Sequence, residues 1–148
     1  MDVVVTRCAG LDVHRDTVVA TVRGPGQRRG SRSQETRTFS TTMRGLSELG
    51  DWLVLERVEL AAMEATGVYW KPVFAVLEER MTCWLLNAQH MHNVPGRKTD
   101  VADSAWIAQL VEHGLVRPSF VPPPEMRDLR DLTRSRTTVA QERSRMIQ

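Results

Sequence analysis

The spacing of apolar positions changes character along the chain, and the changes mark out the elements. Val3 to Val13 is apolar and rich in β-branched residues, Thr17 to Arg23 runs Thr-Val-Val-Ala-Thr-Val-Arg, and Thr36 to Thr41 is a short third run of the same kind. Such runs predict strands. Arg15-Asp16 forms a tight turn between the first two, and Gly24 to Ser31 forms a longer one, rich in chain-breaking residues and arginine. Three strands joined by short links imply an antiparallel meander. From Met43 to Leu55 the period becomes helical, with Leu46, Leu49, Trp52 and Leu53 on one stripe and Thr41 or Thr42 as N-cap. Val58 to Met63 predicts a buried strand, Val73 to Met81 a helix with Pro72 tolerated in its first turn, and Thr82 to Leu86 a further strand. Asn87 to Lys98 is a loop. Thr99 opens a helix to about His113, closed by Gly114.

The resulting order, β-β-β-α-β-α-β-α, is that of an α/β domain with a ribonuclease-H-like mixed sheet. Its fourth and fifth strands are apolar throughout, as burial on both faces requires. Residues 1–116 would make this domain. Arg117 to Pro124 is a stiff, extended, proline-rich linker. Residues 125–148 predict a long polar helix whose apolar stripe, Leu129, Leu132, Val139 and Met146 with Met126 beside it, is too thin to fold alone. It needs a partner helix, which predicts a homo-oligomer, a dimer or higher. A helix reaching Gln148 without a cap points to a chain that continues.

Composition narrows the class. With 41% hydrophobic and 26% charged residues in 148, the chain can build a core and is not disordered. The net charge of +2 is small, but arginine is unevenly placed. Arg23, Arg28, Arg29, Arg32 and Arg37 cluster around the second turn, and Arg127, Arg130, Arg134, Arg136, Arg143 and Arg145 recur along the last helix. Guanidinium groups suit phosphate through bidentate hydrogen bonds, so nucleic acid is the expected partner, with Arg28, Arg29 and Arg32 as candidate contacts. Cys8 and Cys83 both fall in apolar strands, with no spacing that makes a zinc cluster or a disulfide framework. The start has no signal-peptide pattern, and nowhere do about eighteen apolar residues run together to span a membrane. The expectation is a soluble, cytoplasmic protein without membrane contact.

The chemistry sits on four carboxylates. Asp12 ends the first apolar strand, Glu64 ends the fourth, and Asp100 and Asp103 fall at i and i+3 on one helix face. Each alone has an ordinary structural explanation: a turn cap, an ion pair, or a favourable place at a helix N-terminus. Together they form an acidic group facing only Arg97 and Lys98, which are themselves candidates to meet a scissile phosphate. Such a group repels itself unless divalent cations neutralise it, and hard oxygen donors suit Mg²⁺ or Mn²⁺. Two such ions at a phosphodiester activate the nucleophile and stabilise the leaving oxygen.

Gly10-Leu11-Asp12-Val13-His14, Met63 to Trp70 (Met-Glu-Ala-Thr-Gly-Val-Tyr-Trp), Gly96 to Asp103 and Gly114 to Pro122 together resemble the DEDD (RuvC-like) transposases of one bacterial insertion-sequence family. The resemblance spans nearly the whole chain in order. It implies a RuvC-like catalytic domain in which Asp12, Glu64, Asp100 and Asp103 hold Mg²⁺. It also implies DNA partners, the transposon ends and the target, and a structured non-coding bridge RNA. Members of that family carry a further domain with a nucleophilic serine after the helical segment, and no residue here takes that role. The loop of Arg28 to Arg32 is longer than the family pattern.

Two other classes compete with this reading. An actin-like or sugar-kinase ATPase needs a glycine-rich turn after the first aspartate, and Val13-His14-Arg15-Asp16 has none. A non-catalytic RNA-binding and dimerisation module would fit the arginines and the last helix but not a metal requirement. Among the other residues, His14 is expected to hydrogen-bond near Asp12, and His90 and His92 to lie on a loop surface. Tyr69 and Trp70 either pack beneath their helix or stack on a base. Trp106 is expected to face the core.

Overall fold

In a computed structural model, residues 2–65, 67–87, 103–119 and 121 are described. The meander forms as expected from β1 (Cys8–Val13), β2 (Thr17–Pro25) and β3 (Arg32–Ser40). Both hairpin arms run further than their apolar residues do, with Pro25 opposite Arg32, so the turn is only Gly26 to Ser31. Polar residues suffice in β3 because it is an edge strand, exposed along most of its length. The first strand begins at Cys8, later than the apolar run. Val4 and Val5 instead donate backbone hydrogen bonds to the Glu112 carbonyl.

The remaining elements are α1 (Met43–Leu55), β4 (Leu60–Glu64), α2 (Trp70–Glu78), β5 (Thr82–Leu86) and α3 (Asp103–Glu112). Thr42 caps α1, its hydroxyl accepting from the Gly45 amide at 3.1 Å. The α2 helix starts at Trp70, so Pro72 does lie in its first turn, where an amide proton is not needed. The sheet order is β3-β2-β1-β4-β5, antiparallel on the β3 side and parallel across β1, β4 and β5. This mixed sheet, with helices on both faces, matches the ribonuclease-H-like expectation.

Strand alternation divides the core in two. Ala9, Leu11, Ala61, Met63 and Leu85 face α1 and α2, with Leu49, Leu53 and Leu77 among their neighbours. Cys8, Leu60, Ala62 and Leu86 face α3, meeting Trp106, Ile107, Leu110 and Val111. Beyond α3, Gly114 takes the left-handed conformation (φ 67°) that terminates helices. The Leu115 amide bonds back to the Leu110 carbonyl at 2.9 Å. The first residues of the proline-rich stretch lie against β5, where the Ser119 amide donates to the Leu85 carbonyl at 2.7 Å and Pro118 bridges Leu86. The predicted helix over 125–148, with Leu129, Leu132, Val139 and Met146, lies outside the described residues, as do most of the loop before α3 and its expected first residues, 99–102.

Candidate active site

The two strand-borne carboxylates come together through register. Leu11 pairs with Met63 in the parallel β1–β4 ladder, so the next step sets Asp12 beside Glu64. Adjacent strands lie about 4.8 Å apart, a spacing that carboxylates sharing one ion can bridge. By alternation both follow Cys8, Gly10, Leu60 and Ala62 on the α3 face. Both are partly buried.

Above them, α3 runs antiparallel to β1. Its Ala108 carbonyl accepts the Cys8 thiol at 3.4 Å, and its first turn crosses Gly10. A Cβ at Gly10 would sit 2.2 Å from the Ser104 carbonyl oxygen and 2.4 Å from the Ala108 nitrogen. The glycine before Asp12 is therefore where helix backbone meets strand backbone. Asp103, exposed at the start of α3, is thus carried to the same sheet edge as Asp12 and Glu64. Asp100, Arg97 and Lys98 lie outside the described residues. Among the described residues no three His, Cys, Asp or Glu side chains gather closely enough to hold a metal ion. The donor set nevertheless fits a hard divalent cation, because both residues the register joins offer carboxylate oxygens.

His14 lies in the turn just after β1, and its Nε2 is 2.9 Å from Asp12 Oδ2. Tyr69 and Trp70 separate: Tyr69 is exposed, whereas Trp70 packs on the core edge-to-face with Phe74, ring centroids 5.8 Å apart. Trp106 is buried, as expected. His90 and His92 lie outside the described residues.

The arginines also separate. Arg28 and Arg29 are exposed on a turn that Ser31 pins, its hydroxyl donating to the Arg28 carbonyl at 2.6 Å. Arg32 turns inward. Together with Arg23 it binds the carboxylate of Glu112, and it also donates to the Thr6 carbonyl. Glu112 is fully buried. Burial pushes its acidity the wrong way, but hydrogen bonds and charge from Arg23 and Arg32 outweigh that and hold its pKa below the usual carboxylate value. Sequence reasoning missed Glu112. The available signal was a lone carboxylate following the mainly apolar stretch Trp106 to Val111, interrupted only by Gln109. It also missed the buried hydroxyls of Thr21 and Ser104, in contact at 2.8 Å.

A family model described as a transposase, the DEDD transposases of the IS110 type, matches residues 9–148. The chain belongs to this IS110 DEDD transposase family. Comparison with curated proteins gives no match. Among solved structures, the IS110-family chain is similar to Thermus thermophilus RuvC, with 13% identity and a TM-score of 0.53 over 77% of this chain and 100% of that one. It is equally similar to T. thermophilus RuvC in complex with a Holliday junction substrate, with 12% identity and a TM-score of 0.54 over 77% and 99% of the two chains. At such identities the likeness is one of fold, and it makes this transposase domain RuvC-like.

Proposed function

We propose that this domain carries out divalent-metal-dependent cleavage and strand exchange of DNA in transposition, guided by a structured non-coding RNA. Asp12, Glu64, Asp100 and Asp103 would hold Mg²⁺ or Mn²⁺. The observation that supports the reading is the β1–β4 register, which ends at Leu11 and Met63, the residues just before Asp12 and Glu64, with α3 beginning at Asp103. Two carboxylates at adjacent strand ends are costly to keep charged together, and a cation removes that cost. When bound, the ions would supply the charge that activates a nucleophile and stabilises a leaving oxygen at a phosphodiester. Asp12 and Glu64 would fix the ions against the rigid sheet, His14 would orient the Asp12 carboxylate, and Arg97 and Lys98 would meet the phosphate. Arg28 and Arg29 would bind nucleic acid elsewhere. The stripe of Leu129, Leu132, Val139 and Met146 would join two copies. The whole would act in the cytoplasm.

The test is metal-dependent nicking of branched DNA, a substrate chosen because a RuvC neighbour is complexed with a Holliday junction. Mn²⁺ should raise the melting temperature, since an ion that binds only the folded site stabilises by mass action. Asp12→Asn should abolish both the shift and the nicking while leaving the fold intact. Equal melting in chelator and in millimolar Mn²⁺ would remove the reading's main support.

A further inference from the structure

Where α3 packs on the sheet, two polar side-chain contacts stand out beside the Cys8 thiol on the Ala108 carbonyl. At the far end Glu112 meets Arg23 and Arg32. At the near end, one residue after Asp103, Ser104 Oγ lies 2.8 Å from Thr21 Oγ1, which in turn lies 2.8 Å from Thr36 Oγ1. Thr21 and Ser104 are buried, at 0% and 1% exposure, among Gly10, Ile107 and Ala108. Thr21 is also the cross-strand partner of Gly10, the position crossed by the first turn of α3. The hydroxyl chain thus runs from the edge strand through β2 to the turn that carries Asp103. It lies two residues, about 6–7 Å along the strand, from Asp12.

Apolar contacts are non-directional and let a helix slide or roll by fractions of an ångström at little cost. A buried hydroxyl pair does not, because leaving either group unpaired costs more than the bond itself returns. Buried polar contacts therefore set geometry more than they add stability. We infer that Thr21 is a positioning residue: through Ser104 it fixes the register of α3 and so the placement of Asp103 relative to Asp12 and Glu64. The inference rests on the reading of these carboxylates as a metal site.

The test is titration of the whole chain with MnCl₂ by calorimetry, alongside metal-free thermal melting. In Thr21→Val with Ser104→Ala both partners are removed, so no buried group is orphaned and the shape is kept. That double variant should melt within about 4 °C of the parent. It should bind Mn²⁺ about tenfold or more weakly, the usual size of effects from groups that orient metal ligands. Thr21→Ser, which keeps the hydroxyl, should bind as the parent does. Parent-like Mn²⁺ affinity in the double variant overturns the inference. So does a parallel loss of affinity and many degrees of melting temperature, which would show an ordinary structural contact. If the parent itself binds no Mn²⁺, the metal-site reading falls, and this inference falls with it.

Discussion

Glu112 shows how much one side chain holds in place. Its carboxylate receives Arg23 from β2 and Arg32 from β3, while its backbone carbonyl accepts the amides of Val4 and Val5. Removing one partner of such a buried pair strands the others. Glu112→Ala should therefore destabilise the chain by about 3–5 kcal/mol in chemical denaturation. The pH dependence has a definite sign. The folded pKa lies below the ordinary value of 4.5, so the carboxylate's contribution is complete above about pH 4.5. It is lost as pH falls through the lower folded value, and Glu112→Gln should flatten the acid limb of the stability curve. The thiols behave oppositely. Burial pushes both Cys8 and Cys83 up to about 12, with Glu112 adding to the effect at Cys8 and Glu78 at Cys83. Thiolate is the reactive form, so at pH 8 a disulfide reagent should label neither cysteine in the folded chain and both after unfolding. Rapid labelling of native Cys8 would contradict its burial in β1.

At the scale of elements, the sequence showed best what rests on local periodicity. The α1 stripe and the compact β5 run were legible to the residue, because Leu46, Leu49, Trp52 and Leu53 repeat at helical spacing and the apolar run ending at Leu86 lies between the charged Glu78–Arg80 stretch and Asn87. The lengths of β2 and β3 were not, since Ser33 to Thr38 are polar and are held in a strand by pairing with β2 rather than by burial. Asp12 and Glu64 stand out in the sequence as candidate site residues because a carboxylate closing an apolar strand is conspicuous. Their adjacency depended on a parallel register between residues about fifty positions apart, which no local pattern encodes. The seat of α3 was hidden for the same reason, as Thr21 and Ser104 are 83 positions apart. A glycine commonly marks a turn, yet Gly10 lies within β1 and matters for what rests on it. Gly10→Ala would push the first turn of α3 off the sheet, a backbone displacement that overpacking experience puts at about 1–3 kcal/mol or more. It should cost Mn²⁺ affinity as well as stability. A Gly10→Ala chain that melts normally would mean that α3 yields more easily than its backbone contact allows.

Across the whole molecule the sheet has two chemically different ends. The carboxylates lie where β1 and β4 finish, next to the β1–β2 turn that carries the exposed Arg15. The Arg28–Arg29 turn lies at the other end, beyond the Arg23–Cys8 pair. Between the level of Asp12, paired with Val19, and Pro25 the strand runs six residues, about 20 Å at roughly 3.3 Å per residue. Arg28 and Arg29 therefore cannot touch a phosphate bound at the carboxylates. Any role they have is in holding nucleic acid that extends past the opposite edge. Arg32 is unsuited to testing this, because neutralising it would break the buried contact with Glu112 and confuse binding with folding. The informative variant is Arg28→Gln with Arg29→Gln. Each phosphate that the protein ceases to neutralise takes about one counterion out of the salt dependence. The log–log slope of affinity for structured RNA or duplex DNA should thus flatten by up to about two, with Mn²⁺ affinity and melting temperature unchanged. Arg15→Gln should do the reverse, leaving distal binding nearly intact while slowing metal-dependent nicking, since it alters charge at the sheet end that carries Asp12. If the paired turn variant keeps the parent's affinity and salt slope, the turn is a solvated surface. Nucleic acid must then be gripped from the carboxylate edge or by the arginines of residues 127–145.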